Sequence, residues 1–356
     1  MLDVPDTEAS SAAIGPSAST DTSEGRVPFD ALRETAEYIA SVQTRAGAIP
    51  WERAGKVDPW NHVEAAMGLS VMGFTAEARR ALEFLIALQR PDGGWFAEYD
   101  AEGNPTARHT DTNFVAYAAT GAWHCTLATG DLDFLAYLWP SLKRAIALVA
   151  ALQEPTGHIP WAVSDGGKAY PDALVTGSAS TFLSLHCAIK IANALGARAR
   201  GWERVRNALG SALASGDGFD RTWPSKRRYA MDWYYPVLCG VIPPPAAKSH
   251  LAARCDEFAD LRLGCRCVSD RDWRTAAETS ELVMAYVRAL DTNRAHELFA
   301  TLSQFRETDG SYWTGLAYPE GSRWPDERTT WTAGAVLLAA DSLYGLTPAA
   351  QLFRAT

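Results

Sequence analysis

Several large function classes are excluded by what the chain lacks. Basic residues do not predominate: 33 Lys and Arg face 42 Asp and Glu over 356 residues, a formal charge of −9. With no Lys/Arg-rich run either, the electrostatic footprint of a nucleic-acid partner is missing. No stretch of 18 or more apolar residues stands out, so neither a transmembrane helix nor a membrane partner is expected. The N-terminus has no basic-then-apolar layout of a signal peptide. Residues 1–26 are instead rich in Ser, Thr, Ala, Asp and Pro and read as a disordered leader to a single folded domain, 27–356. Only six cysteines occur: Cys125, Cys187, Cys239, Cys255, Cys265 and Cys267. The Cys265-x-Cys267 spacing is not that of a zinc site, and no second pair stands at a suitable distance. The cysteines read as free thiols of a cytoplasmic protein. No His/Asp cluster at ligand spacing appears, so neither metal nor other cofactor is expected, and the oligomeric state is not encoded legibly.

Period-two alternation is also missing. Apolar residues instead recur at helical spacing over most of the chain, for example Leu32–Gln43, Val63–Met72, Phe114–Leu127, Leu251–Leu261 and Thr332–Leu343. An all-α protein of about twelve helices in six hairpins follows.

A repeat is present within this pattern. Phe84-Leu85-x-x-x-Gln89-x-x-x-Gly93-Gly94-Trp95 has weaker copies ending at Trp51 (with Gln43 and Gly47) and at Trp161 (with Gln153 and Gly157). A fourth copy runs to Trp313 through Gly310. Each copy is an amphipathic helix that stops at Gly, then an aromatic residue, a polar loop, and an acidic residue opening the next helix. Repeated units of this kind stack to bury a continuous core. Six hairpins with alternating long and short loops resemble the (α/α)6 toroid, an inner ring of helices inside an outer one. The repeat itself is similar to that of squalene cyclases and protein prenyltransferases, which share the toroid. The chemistry of those families is not matched: no Asp-x-Asp-Asp motif is present, since Asp131-Leu132-Asp133 stops short, and the cysteines do not fall at helix starts.

The long loops carry ten of the thirteen tryptophans, interspersed with acids. Aromatic faces stack on the C–H faces of sugar rings while carboxylates, His and Arg bond the hydroxyls. Residues expected to bind such a substrate are Asp58, Trp60, His62, Trp95, His109, Asp111, Trp161, Asp165, Tyr170, Asp232 and Trp313. Carboxylates at helix starts also cap free N–H groups, with no catalytic role required.

Two stretches carry a closer resemblance. Leu132-Asp133-Phe134-Leu135 with Trp139-Pro140 and Gly157 to Trp161, and Tyr312-Trp313 with Thr330-Trp331-Thr332-Ala333, resemble (α/α)6 glycoside hydrolases of the glucoamylase and trehalase type. Carried across, that resemblance places the acid on Asp172, with Asp165 as rival, and the base on Glu320 or Glu327. Glu281, one turn into the fifth inner helix, is a third candidate. An acid and a base about 6.5–9.5 Å apart would give an inverting hydrolase. Length and layout are also similar to the family of endo-acting α-1,4-mannosidases of methylmannose polysaccharide, which implies an α-linked carbohydrate substrate. Three alternatives remain open: a terpene-cyclase or prenyltransferase-like enzyme, a sugar epimerase or lyase using His62, His109 or His158 as base, and a binding module.

Overall fold

In the computed structural model, residues 29–199 and 201–355 are described, so the expected leader, 1–26, lies outside the described residues. The helices are α1 (Phe29–Val42), α2 (Pro59–Val71), α3 (Thr75–Ala87), α4 (Thr112–Thr129), α5 (Leu132–Ala151), α6 (Val175–Ala194) and α7 (Trp202–Ser215). They continue with α8 (Ala230–Leu238), α9 (Pro244–Ala252), the one-turn α10 (Cys255–Phe258), α11 (Ala276–Arg288), α12 (Thr292–Thr301) and α13 (Thr330–Tyr344). Helices α2, α4, α6, α8, α11 and α13 pack in that order, and α13 closes on α2. This is an (α/α)6 toroid, with α1, α3, α5, α7, α9 and α12 outside the ring.

Composition explains the two rings. The inner helix α2 buries every residue except Trp60 and Asn61, so it is enclosed all round, mostly by apolar side chains, and carries small residues where neighbours cross. At the closing seam a Cβ on Gly68 would stand 2.9 Å from Gly334 Cα, so the two backbones touch. Outer helices keep one wet face; α5 buries Phe134, Leu135, Leu138, Leu142, Ile146 and Val149 against the ring. Among the described residues α5 alone is long and apolar enough to cross a membrane by length and composition, and that apolar stripe is spent on the core.

The repeated Gln and Gly prove to be joints between successive outer helices. Gln43 Nε2 donates to Gly47 O and Glu77 O of α3; Gln89 donates to Gly93 O and Ser141 O of α5; Gln153 donates to Gly157 O and Val205 O of α7. In the fourth copy Arg306 takes the Gln position and donates to Ala31 O of α1, closing the outer ring. Gly93, at φ +95°, shows why the motif needs glycine: a Cβ there would meet Arg144 O at 2.7 Å. Gly310 meets Glu34 of α1 in the same way.

Two joints lack the motif, and here the structure departs from the sequence expectation. The stretch expected as helix Leu251–Leu261 breaks after α9 into α10 and a strand. That strand, β5 (Ala259–Asp260), begins an antiparallel sheet with β6 (Gly264–Arg266), β7 (Trp273–Thr275), β8 (Gly315–Ala317) and β9 (Ser322–Arg323). Trp273 pairs with Ala317 and Thr275 with Gly315, tying the fifth loop to the sixth. Strands of two or three residues are too short to show a period of two. Shorter strands β1 (Glu98–Tyr99), β2 (Pro105–Ala107), β3 (Thr110–Asp111) and β4 (Ala162–Val163) brace the second and third loops. All six cysteines are free.

Candidate active site

The inner helices all start at one end of the ring, and the loops are lashed to those starts. Thr112 N–H and Oγ1 bond Trp161 O and Pro160 O at 2.9 and 2.6 Å. Thr330 repeats this on Trp51 O and Pro50 O at 2.8 and 2.7 Å. The tryptophan loops therefore rim a mouth whose floor is formed by side chains deeper in the helices.

The sixth residues of α2, α4, α8 and α11 are Glu64, Tyr117, Tyr235 and Glu281. Five steps of helical rise place this layer about 7.5 Å below the helix starts. Their exposures of 4, 7, 4 and 5% are small but not zero, as expected at the bottom of a funnel. Tyr235 Oη donates to Glu281 Oε1 at 2.5 Å and Tyr234 Oη donates to Oε2. Burial raises Glu281 well above the ordinary carboxyl range, and the charge of Glu64 adds to this. Two phenol donors, one on each oxygen, nevertheless suit its ionised form. Burial pushes Glu64 up to about 8, with the Asp58 charge adding to it, while Trp60 Nε1 and the Tyr117 hydroxyl beside it pull the other way. The two buried carboxyls resist double ionisation, and the well-formed phenol bonds fall on Glu281.

At the rim Asp58 caps α2, accepting from Asn61 N at 2.9 Å and from Trp51 Nε1 at 2.6 Å, and burial raises its pKa. Asp111 occupies the same position on α4 without a capping bond. Burial and the Asp58 charge raise it to about 7. His109 Nε2 stands 3.2 Å from Asp111 Oδ1 without forming a well-aligned bond. Asp232 accepts from Thr176 Oγ1 at 2.7 Å and leaves Oδ2 buried without a partner. Trp60 Nε1, Asn113 Nδ2, Trp161 Nε1, Ser180 Oγ and Trp331 Nε1 are also buried and unpaired, Trp60 Nε1 lying beside Glu64 and Tyr117 without bonding either in good geometry. Buried polar atoms are normally satisfied, so a ring of orphan donors and acceptors here calls for a polar ligand. One wall is aromatic: Trp161 lies 5.2 Å from the rings of Tyr170 and Trp223, both partly exposed, with Lys226 Nζ 4.6 Å from the Trp223 ring centre.

The structure thus brings Glu281, Asp58, Trp60, His109, Asp111, Trp161 and Tyr170 to one mouth, whereas Asp232 lines a separate cavity with Asp220, Arg227 and Arg254 between α7 and α9, and other expectations are corrected. Asp172 is a loop clamp: Thr222 N and Oγ1 bond its two oxygens at 2.7 and 2.5 Å. Burial raises its pKa, but those bonds outweigh it and hold the carboxyl below its usual value, which ill suits a proton donor. Asp165 pairs with Arg108 at 2.8 Å on the surface. Glu320 is exposed in the β8–β9 turn. Glu327 is half-buried beside Thr314 Oγ1 at 3.2 Å, raised by burial, before α13 rather than within the floor. His62 accepts from Ile49 N–H and donates to Ala81 O, so both ring nitrogens are spent behind the wall. His158 is spent likewise on Thr156 Oγ1 and Asp217 O. Trp95 is 1% exposed and donates to Leu85 O, a packing role. Trp313 is covered by Arg323 and Arg328, 4.2 and 5.3 Å from its ring centre.

Sequence reasoning missed Glu64, Tyr117, Tyr234 and Tyr235 as floor residues. A signal existed: Glu64 follows Trp60 by four, which stacks the two on one helix face.

No family model matches the chain. Among solved structures, a glycosidase with glucose bound superposes with a TM-score of 0.72 at 16% identity, over 89% of this chain and 97% of that one. A D-mannose isomerase (0.69, 9% identity, 93% and 100% covered) and a sugar epimerase from a ruminal bacterium (0.63, 11%, 87% and 98%) superpose as well. At such identities these relationships speak for the toroid alone. Sequence kinship is more specific: the MMP endo-(1,4)-3-O-methyl-alpha-D-mannosidase of Mycolicibacterium hassiacum is 45% identical over 322 residues, 90% of this chain and 88% of that protein. A shared toroid leaves hydrolase, isomerase and epimerase side by side, and this identity over nearly the full length separates them: the chain belongs to the family of endo-(1,4)-3-O-methyl-α-D-mannosidases, a group of glycoside hydrolases.

Proposed function

We propose that the chain hydrolyses internal α-1,4 linkages of a 3-O-methylmannose polysaccharide with inversion at the anomeric carbon, using Glu64 as acid and Glu281 as base. The 45% identity to the M. hassiacum enzyme carries the substrate. Support for the roles comes from the floor, where burial raises both carboxyls so that they resist double ionisation, and Glu281 takes two phenol hydrogen bonds that suit its ionised form.

In this reading Glu64 donates its proton to the glycosidic oxygen as the bond to the anomeric carbon breaks. Glu281 takes a proton from the water that attacks the opposite face of that carbon. The products are two shorter chains, one with a new reducing end; Glu64 is left ionised and Glu281 protonated until solvent resets them. The exposed ring of Tyr170 stacks a sugar ring, and the apolar O-methyl groups favour such a surface over a purely polar groove.

Digestion of methylmannose polysaccharide, followed by proton NMR of the first-formed anomer, tests the reading. Release of β-configured reducing ends and short oligosaccharides is expected. An α-configured product, or cleavage of unmethylated α-glucan alone, overturns it. If Asp111→Asn rather than Glu64→Gln removes the alkaline limb of activity, the acid is Asp111.

A further inference from the structure

The end of the toroid opposite the mouth holds a second built cavity. It has a volume of about 450 Å³ and opens between the C-terminal ends of α4, α6, α8 and α11, the side of α7 and the C-terminal segment. Lys190, Arg206, Arg288 and Arg354 line it, with His186 between them. None of these four cations forms an ion pair with an Asp or Glu among the described residues.

Helix dipoles account for part of this charge. Arg354 is spent on the carbonyls of Ser342 and Leu343 at the end of α13, and Arg288 Nη1 donates to Leu352 O. The remainder is unanswered: Arg288 Nε and Arg206 Nε are buried without partners, and Lys190 Nζ has no hydrogen bond among the described residues. Arg206 Nη1 donates to His186 Nδ1 at 3.2 Å, which places the imidazole proton on Nε2 and makes that atom a further donor. Burial, and then the charges of Lys190, Arg206 and Arg288, lower His186 to about 4, so it stays neutral. Gly240 keeps the space open: a Cβ there would lie 2.3 Å from Arg288 Nη2. Trp123 and Phe182 supply an apolar side.

A cavity rich in unpaired donors and in positive charge, without a carboxylate, is a receptor for an oxyanion. We infer that this cavity binds a phosphate group, free or as the monoester of a small molecule whose remainder rests on Trp123 and Phe182. The site shares α8 and α11 with the funnel floor, Arg288 lying seven residues, two helical turns, beyond Glu281. It nevertheless stands independently of the hydrolytic reading.

Calorimetric titration of the full chain at constant ionic strength in chloride, with inorganic phosphate in one arm and AMP in the other, tests the inference. Saturable binding is expected, weakened about tenfold or more by Lys190→Gln and by Arg206→Gln. Equal affinity in the two arms assigns free phosphate, and tighter AMP binding assigns an ester. Lys190 is exposed and unbonded, so its variant leaves the fold intact and keeps the test open even if Arg206→Gln is destabilised. Absence of saturable binding up to about 10 mM, or affinity unchanged in both variants, overturns it.

Discussion

The two ends of the ring are built from the same inner helices and carry opposite inventories of unsatisfied groups. At the mouth the orphans are mixed, a carboxylate oxygen of Asp111 beside indole and amide N–H groups of Trp60, Asn113, Trp161 and Trp331. At the far end the orphan side-chain groups lining the cavity are cationic donors. A polyol offers and accepts hydrogen bonds at every hydroxyl and suits the first set; an oxyanion only accepts and suits the second. Dipole complementarity explains why acids gather at helix starts and cations at helix ends. It does not explain why Asp58 makes its capping bond while Asp111, equally placed, makes none. That difference separates a carboxylate serving the fold from one left for a ligand.

The largest test of the contrast is within the mouth. Glu281→Gln should lower kcat about 10²–10⁴-fold with folding intact, whereas Glu320→Ala in the exposed turn should stay within about twofold. Equal losses from both would remove the floor from the mechanism. Next comes the distinction between mouth aromatics and joint aromatics. Trp95→Ala should cost about 3–5 kcal/mol of stability, and Gln89→Ala about 2 kcal/mol, both read by denaturant unfolding. Tyr170→Ala should leave stability nearly unchanged and weaken substrate binding, read as a raised KM. A binding defect in Gln89→Ala without destabilisation would undo the assignment of the repeat to the scaffold.

Smaller effects are expected from pH. Buried His62 and His124 are held down to about 4 and 3 by desolvation, below the unfolded value near 6.5. The unfolded chain therefore binds more protons, and their stabilisation, complete above pH about 6.5, is lost as pH falls below it. Glu64 and Asp111 have the opposite sign: folded values of about 8 and 7 exceed unfolded ones near 4, so their contribution is present below pH about 4 and is lost as pH rises towards 7–8. Each group acts with at most about 1.4 kcal/mol per pH unit. Glu64→Gln should flatten the alkaline side of a stability–pH curve and leave the acid side unchanged. An alkaline side that keeps its slope would mean that Glu64 is ionised in the folded protein.

Much of the architecture was legible in the sequence, because its cause is local. Helical periodicity and alternating loop lengths specified six hairpins, and the Gln–Gly–Trp repeat marked the turns where each joint lies. The loop sheet was not legible, since strands as short as Ala259–Asp260 take their conformation from partners on other loops. The candidate site was legible as a mouth but not as a set of roles. Glu281 could be placed on the axis by its position in α11, yet the hydroxyls that hold it come from Tyr234 and Tyr235, 47 and 46 residues away. Asp172 looked like an acid until Thr222, 50 residues on, closed over it.

By itself, then, the sequence determined the helical toroid, the tryptophan-rich loops and the kinship to a mannosidase family. Only the tertiary structure decided which carboxyls are caps, clamps or a buried pair that raise each other's pKa, and which cations lack a partner. Periodicity is a property of neighbours in the chain. Protonation and pairing depend on burial and on charges that meet only when the ring closes.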